Sequence, residues 1–411
     1  MTLSDVEVLR DLGRQVAEIA ALPEQQVTIN LWKAVNSLKP VRPMVAIDQL
    51  PWHEMNVDDE LTLRTSDPFS RELETTLRRQ LYQWRHMRAD MVITPVMVVP
   101  KVIRHDGFGV AITEQTLSQD VENDIVSHAF VDQLQEASDA ERIRVPRVWL
   151  DAAATAERES RARETFDGIL DVQIQGLLPS YELWDEIVQL RNPEVTLFDL
   201  ADRPEFMQDI ARRWSDAHLG FLDALEEQGL LGHSQTLIHC TGAFTDELPA
   251  PGYDPARPRA RDLWTYGMAQ IFGSVSRAMH EEFELPYAAA WYGRFGLGYY
   301  GCCDPLHNKI DVIRRIPNIR KISISPWAKV DVAADRIGGD YVMSRKPSPT
   351  ALALDSFDPE GTIGDVRRTM DECRRTGTPL ELILKDISTV RYEPQRLWDW
   401  ERLVMGLVVD Q

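Results

Sequence analysis

Residues 300–307 read Tyr-Gly-Cys-Cys-Asp-Pro-Leu-His and gather two of the four cysteines, an acid and a histidine into one short segment. A thiolate is a nucleophile and a soft metal ligand. A carboxylate and an imidazole beside it can move protons or complete a coordination sphere. Side chains alternate along a strand, so Cys302 and Cys303 are expected on opposite faces, with Cys303, nearer the tip, turned inward and Asp304 following it. His307 stands four residues beyond Cys303, one helical turn on if a helix has begun, and the pair would then share a metal ion or a substrate. The plainer alternative is that both cysteines are small buried apolar residues.

Three further groups carry chemistry. His239-Cys240-Thr241-Gly242 ends an apolar run, and only one of His239 and Cys240 is expected to point inward. Asp48, followed by Pro51-Trp52-His53-Glu54-Met55, offers acid–base groups beside an aromatic ring, or else a surface loop over a half-buried tryptophan. Arg345, Lys346 and Lys385 stand at the ends of late apolar runs, where a barrel commonly holds an anion. Trp327, after Ser325-Pro326, and Trp52 are placed to stack on a planar substrate.

The elements that position these groups show a rhythm. Apolar, β-prone runs fall at 236–240, 268–272, 297–303, 321–325, 340–344 and 380–385. Helical patterns at 276–295, 306–315, 330–337, 364–376 and 395–409 follow most of them. Strand–helix alternation predicts a parallel sheet covered by helices. The spacing favours an α/β protein of the (β/α)8 TIM-barrel type over an open doubly wound sheet. The N-terminal part is more elaborate. It reads as a helix over 4–21 with a Ser4/Glu7 capping box, a strand at 43–50, a charged helix at 67–88, short strands within 90–103, and helices at 152–165 and 204–230. One domain over 1–411 is expected, with residues 1–40 as a helical extension packed on the barrel.

Composition narrows the function. Hydrophobic content of 44% and charged content of 27% suit a globular protein, and no apolar run reaches the roughly 18 residues of a membrane helix. A formal net charge of −20 repels phosphate backbones, which argues against nucleic-acid binding. Four cysteines, two of them adjacent, make no disulfide framework, and the acidic N-terminus is unlike a secretory signal. A cytoplasmic protein with reduced thiols is expected. No phosphate loop and no Gly-x-Ser-x-Gly is present.

On these segments the chain resembles the uroporphyrinogen decarboxylase superfamily. The resemblance is strongest after residue 260 and rests on Gln270-Ile271-Phe272, residues 276–282, Leu285-Pro286-Tyr287, the Tyr300–Cys303 tip, the strand ending at Lys385, and Glu393-Pro394-Gln395. Along 45–54 the chain lacks the Arg-Gln-Ala-Gly-Arg segment with which true uroporphyrinogen decarboxylases hold their substrate. With Pro51-Trp52-His53-Glu54-Met55 and Ser344-Arg345-Lys346-Pro347 it is more similar to the branch of corrinoid-dependent methyltransferases. That branch uses zinc held by histidine and cysteines at strand tips. Here Gly301 replaces the histidine of its His-x-Cys pair, and Lys385-Asp386 stands where its late cysteine would be.

The resemblance implies a barrel enzyme that moves a methyl group from a small anionic donor, a methoxylated aromatic, to a corrinoid on a partner protein. It implies a zinc ion bound through His239, Cys303 and His307, with Asp48, His53, Glu54, Cys303 and Asp304 catalytic. Arg345, Lys346 and Lys385 would hold the donor's carboxylate, and Trp52 or Trp327 its ring. Two alternatives stand beside it: a cofactor-free decarboxylase of a smaller substrate, using Asp48, and a non-catalytic protein that binds a small anion. Relatives of this type often form homodimers.

Overall fold

The computed structural model describes residues 2–117 and 127–409. Its centre is a curled, wholly parallel sheet of six strands: β1 (Met44–Ile47), β2 (Trp264–Gly267), β3 (Leu297–Tyr300), β4 (Ile319–Ile324), β5 (Val342–Arg345) and β6 (Leu380–Leu384). Their spatial order is β1-β6-β5-β4-β3-β2, so each late strand lies beside the next and β1 joins the last. Buried leucine, isoleucine and valine dominate the helix-facing side, as expected of a parallel sheet covered by helices.

The expected eight-stranded closure is not formed among the described residues. Two candidate staves, Val96–Pro100 and Asp171–Gln175, pair with each other in parallel but not with the six. At the free edge of β1, Asp90 takes the place of a strand. Its N–H donates to the Val45 carbonyl at 3.0 Å, its carboxylate accepts the Val45 N–H at 2.8 Å, and Arg42 holds that carboxylate at 2.6 Å. At the other edge a single bridge, Tyr181 with Gly267, continues the parallel arrangement beyond β2. One side chain and one bridge thus satisfy edges that two further strands would otherwise cover.

Several expected elements shift. The run at 268–272 follows β2 rather than forming it, and residues Gln270–Ser274 make a short 3-10 turn. The run at 236–240 is a hairpin of two-residue strands, Leu237–Ile238 and Thr241–Gly242. The helix over 276–295 divides into Arg277–Phe283 and Leu285–Tyr292, because Pro286 has no N–H to continue the ladder. The 306–315 segment is a 3-10 turn, Leu306–Asn308, and one α-turn, Ile310–Ile313. The N-terminal capping box exists two residues early, between Thr2 and Asp5. Helices Leu3–Ala20, Pro68–Met87, Ala152–Phe166 and Pro204–Glu227 agree with expectation to within three residues, and a further helix, Pro23–Asn36, lies within the expected helical extension. No described helix is long and apolar enough to cross a membrane. The Gly-x-Gly-x-x-Gly spacing of residues 296–301 spans β3, with Gly298 inside it and Gly296 and Gly301 at its two ends, instead of following a strand as a dinucleotide-binding turn does.

Candidate active site

The C-terminal ends of the parallel strands form a rim, and two irregular turns bring the reactive groups to it. Gly267 and Tyr300 are in register, and the Gly301 N–H donates to the Gly267 carbonyl at 2.8 Å. Gly301 then takes a φ of +91°, which a side chain would resist, and an added Cβ would meet Leu306 at 2.4 Å. The turn is fixed by the Cys302 N–H donating to Asp304 at 3.0 Å and by the Ser323 hydroxyl donating to the Cys302 carbonyl at 2.5 Å. Strand alternation has ended by then. Cys302 and Cys303 therefore do not face opposite sides, and their sulfurs lie 3.5 Å apart.

The hairpin tip behaves alike. His239 and Cys240 have φ of 38° and 70°, and both reach the rim where one was expected. His239 Nε2 is 3.4 Å from Lys385 Nζ, and its ring stacks on Tyr266 at 4.7 Å. Cys240 lies beside Asp48, whose charge, added to burial, holds that thiol up.

Lys385 at the end of β6 donates to Cys302 Sγ at 2.9 Å, and the Cys303 thiol donates to Asp386 Oδ2 at 3.0 Å. The Cys303 hydrogen bond, then His239 and the Lys385 charge, draw the Cys302 thiol well below its ordinary value against the effect of burial. The same sulfur–sulfur bond, burial and Asp386 push Cys303 up. Burial alone would lower Lys385, but the Cys302 charge holds it up. Burial lowers His239 and takes Lys346 down to about 8. The surroundings thus favour the thiolate on Cys302, the thiol on Cys303, the charged form of Lys385 and the neutral imidazole of His239.

Cys302, Cys303 and Asp386 each offer a ligand atom, and these atoms lie within 4.8 Å of one another. Zinc–sulfur bonds of about 2.3 Å in a tetrahedron put two sulfurs about 3.8 Å apart, close to the observed spacing. His239 stands next to this set, beside Cys302 and Lys385, but is not one of the three mutually close ligands. The donor set fits a soft divalent ion. Of the three ligands expected from the sequence, Cys303 and His239 are here. His307 is buried elsewhere, among the charges of Lys329, Arg336 and Asp331, and its Nδ1 has no partner among the described residues.

The other candidates separate. Asp48 stands half-buried at the rim, its N–H on the Leu384 carbonyl. Asp304 lies behind the cysteine turn, buried, with Oδ2 unpartnered among the described residues and its carboxyl raised to about 6 by burial. Glu54 is a clasp: it accepts from the Thr389 hydroxyl at 2.7 Å and from the N–H groups of Val390 and Tyr392 at 2.6 and 3.2 Å. His53 sits beside it, 3.7 Å away. Trp52 packs on Tyr82 under Arg79, and Trp327 is 74% exposed.

The three cations do not form one cluster. Arg345 turns to the helix side, donating to the Ser325 carbonyl and to Asp365. Lys346 points inward to Tyr299 and Ser323, and Lys385 to Cys302. Cys302 and Cys240 were singled out in the sequence but each set against its neighbour as the one facing inward, whereas Asp386 was missed; its only sequence signal was its place after Lys385 at a strand tip. Glu182 and Asp185 were missed too, since the segment before them has no strand signature.

No family model matches the chain, and no curated protein does. Among solved structures, a methyltransferase from Methanosarcina mazei is similar over 90% of this chain and 96% of its own, with 11% identity and a TM-score of 0.46. So loose a likeness transfers no role to any residue here.

Proposed function

We propose that this chain is an enzyme of the uroporphyrinogen decarboxylase superfamily that transfers a methyl group from a small methoxylated donor to a corrinoid carried by a partner protein. The observation that carries the reading is the convergence of Cys302, Cys303 and Asp386 beside Lys385 and His239 at the rim of a parallel sheet. These residues would hold zinc, which supplies a Lewis acid for a departing heteroatom. Lys385 keeps Cys302 ionised and ready to bind. Cys303 would give up to solvent the proton it shares with Asp386 when that sulfur binds, leaving the carboxylate free to ligate. Cys303 is half-buried and Asp386 46% exposed on its side chain, so a large acceptor could approach from above.

The test is zinc content by mass spectrometry on untagged protein, with Cys302→Ala and Asp386→Asn in parallel. Near-stoichiometric zinc, lost in Cys302→Ala and weakened in Asp386→Asn, is expected, together with methyl transfer from anisole to free cob(I)alamin. Zinc that survives Cys302→Ala would overturn the site. A metal-free decarboxylase is the second reading, favoured by Asp48 standing near Lys385 and Lys346 around Cys240. Carbon dioxide release from a small carboxylated substrate by zinc-free protein would choose it.

A further inference from the structure

In the methyl-transfer reading zinc would polarise the departing oxygen, and the alcohol product still requires a proton. An alkoxide or phenolate departs poorly without a proton. Of the expected donors, His53 is tied into the Glu54 clasp, Asp304 is sealed behind the cysteine turn, and His307 lies away from the rim. Asp48 stands at the rim beside Cys240, and a further carboxyl stands at the same height as the sulfurs.

Backbone register identifies that height. Tyr181 bridges Gly267, and Gly267 is in register with Tyr300. The Tyr181 N–H donates to the Tyr266 carbonyl at 2.9 Å, and the Met268 N–H returns to the Tyr181 carbonyl at 3.0 Å. Glu182, one residue past Tyr181, therefore stands on the same rim as Cys302, two residues past Tyr300. A continuous chain of side chains joins them. The Ser180 hydroxyl donates to Glu182 Oε1 at 3.2 Å, Tyr266 lies beside Glu182, and the Tyr266 ring stacks on His239, which lies beside Cys302.

We propose that Glu182 is the general acid of the transfer, giving its proton to the leaving oxygen of the methyl donor, and that the donor is accordingly an ether. The inference rests on the methyltransferase reading. In the step, the methyl–oxygen bond breaks and its electron pair stays on oxygen. The Glu182 O–H bond breaks and that proton passes to the same oxygen, leaving an alcohol and a carboxylate. The methyl carbon bonds to the electron pair of the reduced corrinoid, so charge and atoms balance. Burial, helped by the charges of Glu186 and Cys302, raises the Glu182 carboxyl, which suits a group that must enter the step protonated. Glu182 keeps a half-exposed surface, so a substrate can reach it. A donor with an already good leaving group, such as a sulfonium, would not need this residue.

Two measurements on zinc-loaded protein decide it. The first is infrared titration of the protonated carboxyl band in the wild type and in Glu182→Gln. The second is methyl transfer to cob(I)alamin from anisole and from para-nitroanisole, whose phenolate leaves without help. The expected result is a protonated carboxyl band, titrating above the ordinary glutamate range, that Glu182→Gln removes. The same change should slow anisole turnover by roughly 10²–10⁴-fold, leave para-nitroanisole turnover within a few-fold and abolish the alkaline fall of the anisole pH profile. No protonated carboxyl band in the wild-type minus Glu182→Gln difference spectrum, or equal losses on both donors, overturns Glu182 as the acid while methyl transfer stands. No transfer from either donor by the wild type, with zinc bound, takes down the methyltransferase reading and the proposal with it.

Discussion

Two lysine–anion pairs inside the curled sheet differ in what surrounds them. Lys321 on β4 and Glu381 on β6 meet at 2.7 Å, both with 0% side-chain exposure. Lys321 also reaches Thr241 and the Gly242 carbonyl, between the rings of Trp32 and Trp264. Lys385, four residues after Glu381, pairs instead with Cys302, which is 5% exposed and touches the half-open Cys303. The lower pair is closed on every side and can only hold the sheet. The upper one ends in sulfurs and a carboxylate that a ligand can reach. Equivalent ionic chemistry is structural when sealed and reactive at the rim.

That contrast can be broken from either end. Cys302→Ala is expected to remove all bound zinc and all transfer while the protein melts near the wild-type temperature; co-loss of fold and metal would erase the distinction. Glu381→Gln should do the reverse. It strands a buried ammonium and costs about 3–5 kcal/mol of unfolding free energy, read by denaturant titration, with zinc content unchanged. Replacing both partners, Lys321→Met with Glu381→Leu, should recover much of that loss.

Lys385→Met sharpens the electrostatic half of the comparison. Without that charge the Cys302 thiolate titration, followed by ultraviolet absorbance in zinc-free protein, should move up by about 1–3 pH units. The smallest effect concerns Asp185. Burial pushes its carboxyl from 3.8 to about 7, so the folded chain binds that proton more tightly than the unfolded chain. Its stabilisation is complete below the unfolded value and is lost as pH rises through about 7. Asp185→Asn should therefore melt higher than the wild type above that pH, with the difference vanishing or reversing in acid. A pH-independent difference would show that Asp185 acts through packing alone.

Part of this architecture was legible in advance. Runs such as 319–324 and 380–384 alternate with helical periodicity, and β4, β5 and β6 fell within two residues of expectation because burial on both faces leaves a continuous apolar signature. The buried pair also left a trace, since Lys321 and Glu381 interrupt otherwise apolar strands with opposite charges. The site was legible as a set of residue types and hidden as a geometry. Alternation assigned Cys302 and Cys303 to opposite faces, but it applies only while the chain stays extended. Positive φ at Gly301, His239 and Cys240 ends it in both turns. The grouping of Arg345 with Lys346 failed for the converse reason: Arg345 is still in the strand and faces the helices.

The sequence by itself determined an α/β chain with a parallel sheet, an acidic surface and a sulfur-rich strand tip, because periodicity and residue chemistry are local properties. Tertiary structure alone decided that the barrel stays open, since Asp90 takes the β1 edge from a distant segment. It also decided that Asp386, His239 and Glu182 join the two cysteines. These residues are separated by as much as 204 positions, from Glu182 to Asp386 (386 − 182). Only the register of the strands beneath them sets their heights at the rim.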